Sequence, residues 1–448
     1  MTPSESIFDE LQSTLAAQGA PAACTRLADH LRGTGQYHEL FDARLMQARH
    51  ELGLPIVPSG TLDDLPEPAR TRMEEKYLAA CREVGSLLLE AGRVREAWMY
   101  LRPVGEKADV AVALEELRER ETAKAASSTA ASSADEQATT EQESADRESA
   151  EQQFAEQGFA EQAPAGPSVV EQIIEVALYE GVCPRLGFEL VLENYGTCNA
   201  ISLFDAQMHG RPPADKQAVA GVLVRHLHEE LLRNVRADIV RREEARREGH
   251  EPAAISLQEL VSGRPELFEG DNYHVDTTHL AAVVRFALVC EDPATLRLAL
   301  DLTEYGRRLS TQYQFAGQEP FGDTYPAHAQ FYRGLLGESA DEAVAYFRQR
   351  ADELAETDRT GQTNSAAVAG EVLVGLLARM GRTAEALEES ASRLAAGGRN
   401  SGFAPGLLEL AARAQRYDRL QQISREHADA VGFTAGLLGA TSAGRSGT

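Results

Sequence analysis

Apolar residues recur every three to four positions through most of this chain, the spacing that gathers them on one face of an α-helix. It predicts helices over residues 8–17, 23–32, 37–52, 70–91 and 94–104. Further on it predicts them over 169–179, 186–193, 215–248, 277–290, 294–312, 326–336, 341–356, 365–380 and 382–395, with two short helices near Gly406 and Tyr417. Glycines such as Gly53 and Gly92 stand at the predicted ends, where the left-handed cap conformation suits them. No run alternates apolar and polar residues for long enough to make a strand, so the expected class is all-α.

The periodicity stops between residues 121 and 167, where Ala, Ser, Thr, Glu and Gln dominate. A segment of that composition has too few apolar groups to bury a core. It reads as a disordered acidic linker. The expected organisation is therefore a helical block over 1–120, the linker over 121–167, a larger helical domain over 168–440 and a frayed polar tail over 441–448.

The stretch from Cys81 to Leu101 resembles a tetratricopeptide repeat. Gly85 lets two helices approach, Leu88 fills the seam, Ala97 is the small residue of the second helix, and Leu101 is the bulky residue four positions on. Gly375, Leu376, Gly381, Ala386 and Leu387 repeat the pattern more loosely, and residues 331–347 more loosely still. The resemblance implies stacked helical hairpins, an α-solenoid in two blocks, in which each hairpin covers the apolar face its neighbour leaves open. It implies no particular ligand residues.

Charge narrows the choice of partner. Asp and Glu number 70 against 44 Lys and Arg, for a net charge of -26. That balance opposes nucleic acid and anionic membrane, since no domain-wide positive field exists to release counterions. A protein or peptide partner is expected, with basic segments favoured, and leftover hairpin faces make a homo-oligomer the further option. The five cysteines are scattered without a close pair, which fits a reducing compartment. With no leader or apolar span of roughly 18 residues, the expected location is cytoplasmic.

Candidate chemistry is sparse. No G-x-S-x-G, phosphate loop or dinucleotide fingerprint is present, so no cofactor and no catalytic residue is assigned. His226 and His228 lie two residues apart, on different sides of a helix, where one ion cannot be shared. Residues 272–290 are the most informative stretch. Asp276 or Thr277 is a natural N-cap for an apolar helix, yet His274, Asp276 and His279 are also the ligand types of a divalent-metal site. Arg285 interrupts the apolar surface and needs either solvent or a carboxylate. The alternative to an interaction scaffold is thus an enzyme or metal-binding protein built around His274, Asp276, His279 and Arg285. The segments 193–199 and 322–328, which includes His328, are further candidates to converge on it.

Overall fold

The computed structural model describes residues 3–56, 61–139, 167–246, 256–357, 364–394 and 403–445. Within them the fold is all-α, and the one β feature is an isolated bridge between Ala316 and Asp323. Among the described residues no helix is long and apolar enough to cross a membrane. The chain divides into two compact units, Met1–Gly196 and Thr197–Thr448.

In the first unit the helices Pro3–Gln18, Ala20–Gly33, Tyr37–Glu51, Ala69–Glu90 and Val94–Leu101 pack each on the next in chain order. Leu88, Ala97 and Leu101 are buried at the seam of the last pair. Gly85 sits there because a Cβ would lie 2.5 Å from Cγ of Leu101, closer than packed atoms approach. Gly85→Ala gains roughly 1 kcal/mol of helix propensity and forces overpacking that costs about 1–3 kcal/mol. A net loss of about 1 kcal/mol is expected. Denaturation followed by the fluorescence of Trp98, the single tryptophan and a neighbour on the second helix, measures it.

The boundary falls later than composition suggested. Helices Val169–Ile174 and Pro184–Gln207, joined by a π-turn at Glu175–Tyr179, begin on the far side of the expected linker. Their residues up to Gly196 nevertheless belong to the first unit. Ile173, Val176, Leu178 and Leu186 are buried. Arg118 reaches Glu189 at 2.8 Å, Arg185 pairs with Glu115, and Arg95 pairs with Glu175. Composition marks where a chain cannot pack; it does not say which side covers an open helix face. At Gly196 the backbone turns to φ 79° within the Pro184–Gln207 helix, and the second unit starts.

Helices also extend into the expected linker and the expected tail. Helix Lys107–Thr139 runs past residue 120 into the segment assigned as linker, whose remainder, 140–166, lies outside the described residues. Helix Ala430–Arg445 likewise enters the expected tail. In the first of these alanine is frequent, and helix propensity persists after the apolar stripe ends.

The second unit is organised by helix Pro213–Arg246, whose Leu223, Leu227, Leu231 and Val235 stripe is buried. It packs on Thr277–Phe286 and Pro293–Gly306. From Pro293–Gly306 onward, helices Thr324–Leu335, Ala340–Thr357, Ser365–Arg379, Thr383–Arg393, Leu407–Arg413, Tyr417–Glu426 and Ala430–Arg445 again pack each on its successor. An aromatic core of Phe321, Phe331, Phe347 and Tyr332 forms the middle of this series, with edge-to-face contacts of 5.4–6.1 Å.

Candidate functional site

Of the residues that the sequence groups as a metal-ligand set, Asp276 and His274 bond different partners. Asp276 is the N-cap of helix Thr277–Phe286: its Oδ1 accepts from the amides of Thr278 at 2.8 Å and His279 at 3.1 Å. The Thr278 hydroxyl also donates to it, and these bonds hold its carboxyl below the usual range. The His274 imidazole is buried and turns to other neighbours. Its Nε2 lies 3.3 Å from Oδ2 of Asp238 and its Nδ1 2.8 Å from the Tyr305 hydroxyl.

A carboxylate only accepts, so the proton sits on Nε2 and the Tyr305 hydroxyl donates to Nδ1. Burial lowers the His274 pKa, against the opposing pull of Asp238. Burial also works against ionisation of Asp238, but bonds from Arg242, at 2.7 Å, and His274 outweigh it and keep that carboxyl low. Asn234 completes the network by donating to the His274 carbonyl at 2.7 Å. These polar groups thus satisfy one another and tie the 270–276 loop to the long helix. Among the described residues no three His, Cys, Asp or Glu side chains are grouped to hold a metal ion. His274, Asp276 and His279 are therefore not brought together as a ligand set.

Arg285 goes elsewhere. It is exposed, forks onto Asp205 at 3.2 and 2.9 Å and lies 4.6 Å over the Phe286 ring. Both routes open to a guanidinium on an apolar helix, solvent and a carboxylate, are used at once. It stands at the edge of a cavity of about 700 Å³, and His328 lines the same cavity. The structure thus joins Arg285 to the 322–328 segment and not to His274.

Several elements of the second unit wall the cavity. Ala281, Ala282 and Leu288 come from the Thr277–Val289 segment, Val368, Glu371 and Val372 from helix Ser365–Arg379, and Phe315 to Phe321 from the loop before helix Thr324–Leu335. That loop is held by its own bonds. The Gly317 amide donates to the Gly322 carbonyl at 3.0 Å, the Thr324 hydroxyl to the Phe315 carbonyl at 2.6 Å, and Arg350 forks onto Glu319 at 3.0 and 2.6 Å. Gly317 is required because a Cβ there would lie 2.1 Å from the Phe321 carbonyl oxygen. The helix begins at Thr324, two residues before Pro326, so the proline occupies the first turn and not its first position.

His328 is 2% exposed and stacks on Phe321 at 4.3 Å. Its Nδ1 lies 2.5 Å from the Thr324 carbonyl oxygen, an acceptor only, so Nδ1 carries the proton. Burial, with the nearby Arg285 charge adding to it, pushes its pKa down to about 4. The ring is neutral and Nε2 offers a lone pair. Among the described residues that nitrogen has no hydrogen-bond partner. Glu371, also buried, accepts from the Phe403 amide at 2.9 Å and the Ala404 amide at 3.4 Å. Its signal was legible: it is the sole acid of helix Ser365–Arg379, set in an apolar run, as Arg285 is the sole arginine of its own.

A second cavity of about 700 Å³ lies in the first unit, lined by Leu27, Leu31, Met46, Met73 and Tyr77, with Glu39, Asp42 and Arg49 among the polar residues. Glu39 and Asp42 are exposed. Arg49 is buried and donates Nε to the Pro55 carbonyl at 2.6 Å. No family model matches this sequence, and no curated protein or solved structure matches it either.

Proposed function

We propose that this chain is an interaction scaffold of tetratricopeptide-like hairpins, with its first unit holding a basic, apolar-anchored segment of another protein. The observation that carries the reading is the first unit's groove: an apolar floor of Leu27, Leu31, Met46 and Met73 beside the exposed carboxylates of Glu39 and Asp42. Helix-on-next-helix packing in chain order, with Gly85, Ala97 and Leu101 at one seam, supports a solenoid arrangement within each unit. The net charge of -26 favours basic partners and makes their association sensitive to salt.

A designed amphipathic helix with a leucine face and a lysine face is the test, read by fluorescence anisotropy with the full chain. It is expected to bind, to weaken as salt rises, and to weaken on the order of tenfold in a Glu39→Lys, Asp42→Lys variant. Equal binding of a peptide with glutamate in place of lysine, or no effect of the double variant, defeats the proposal.

A further inference from the structure

The second unit's cavity differs from the groove in how its charges are used. Arg285 is occupied by Asp205, Glu319 by Arg350, and Glu371 by the amides of Phe403 and Ala404. A charged ligand would have to break one of these pairings. The remaining wall is mostly apolar, with Phe315, Phe321, Val372 and Phe403 among its members, beside the exposed Gln318 and a Thr324 hydroxyl that donates to the Phe315 carbonyl. His328 Nε2 is a buried polar atom of this wall with no hydrogen-bond partner among the described residues, an acceptor, since Nδ1 holds the ring's one proton against the Thr324 carbonyl. A buried acceptor with no donor is destabilising, and a ligand that supplies the donor recovers that loss on binding.

We infer that this cavity is a binding site for a neutral, largely apolar small molecule bearing one N–H or O–H donor, which His328 Nε2 accepts. At about 700 Å³ the space falls within the usual range of small-molecule sites. An anion meets the carboxylates of Glu319 and Glu371, and a permanent cation meets a guanidinium at the mouth. A neutral donor meets neither objection. The site goes beyond the scaffold reading and does not depend on it, because every residue it uses lies in the second unit.

Indole and 1-methylindole are suitable probes, because they share an aromatic body and differ in whether the ring nitrogen can donate. Equilibrium dialysis with the full chain should give saturable indole binding, and 1-methylindole should bind on the order of tenfold more weakly, the loss of one hydrogen bond to a buried acceptor. His328→Phe keeps a ring against Phe321 and removes the acceptor; it should abolish the discrimination between the two probes. Should that variant fail to fold, the wild-type chain still decides: indole should slow hydrogen exchange in residues 315–328. No saturable binding of either probe overturns the inference. So does equal binding of both, the result expected if water alone serves Nε2, or discrimination that survives in His328→Phe.

Discussion

Replacing Arg379 by methionine should weaken the second unit by about 3 kcal/mol, the larger of the two strongest effects expected for this chain. Arg379 is the last residue of helix Ser365–Arg379, and its guanidinium is largely buried. Its Nη1 donates to the Leu288 carbonyl at 2.6 Å, and Nη2 donates to the Cys290 carbonyl. Those carbonyls lie at the end of the Thr277–Val289 helical segment, where the last C=O groups have no partner inside the helix and a cation is favoured by the helix dipole. The guanidinium also lies 5.5 Å from the centre of the Phe331 ring.

Burial opposes the charge and lowers the Arg379 pKa, and Nε has no partner among the described residues. The arginine is therefore not free of cost. Two charge-assisted bonds at roughly 1.5–3 kcal/mol each outweigh that penalty. Methionine fills similar volume but leaves both carbonyls bare. Hydrogen exchange of residues 277–290 should lose roughly a hundredfold in protection, the equivalent of about 3 kcal/mol. Unchanged exchange there would mean that solvent replaces the guanidinium at no loss.

The second large effect is a loss of stability in mild acid caused by His328. Its folded pKa is about 4 against an ordinary value of 6.5. Above about pH 6.5 the ring is neutral in both states and contributes nothing to the pH dependence. Between 6.5 and 4 the unfolded chain takes up a proton that the folded chain refuses, so stability falls with pH, and the loss levels off below 4. From about pH 7 to about pH 5 the penalty is about 2 kcal/mol.

His274, also lowered by burial, adds a loss of the same sign. The contribution of His328 is isolated by comparing the wild type with His328→Phe in denaturation followed by circular dichroism at the two pH values. The variant should be about 2 kcal/mol less sensitive to the change. Identical pH sensitivity in the two chains would mean that the folded ring takes up its proton as readily as the unfolded one.

Much of the local structure was legible. The cap at Asp276 was one of two candidates ahead of an apolar helix, and the close approach at Gly85 followed from the resemblance of residues 81–101 to a tetratricopeptide repeat. The grouping of chemistry was not. His274, Asp276 and His279 lie within six residues, and nearness in sequence invited a shared ligand. A loop that turns into a helix sends successive side chains in different directions, so the cap, the buried imidazole and the helix surface became three separate environments. Asp238, which pairs with His274, lies 36 residues away on another helix. Arg285 and His328 meet at one cavity only because helices Thr277–Phe286 and Thr324–Leu335 pack together.

By itself, the sequence determined the all-α class, most helix positions, the acidic balance and the polar interruption at Arg285, because periodicity, capping and charge are local properties of the chain. Tertiary structure alone decided that residues 169–196 close the first unit, that the expected metal ligands separate, and that Glu371, Phe403 and the 314–323 loop enclose a cavity around a neutral histidine. Those outcomes depend on which distant surfaces cover one another. Burial sets the His328 charge state, and burial is a property of the packed unit, not of the residues beside it in the chain.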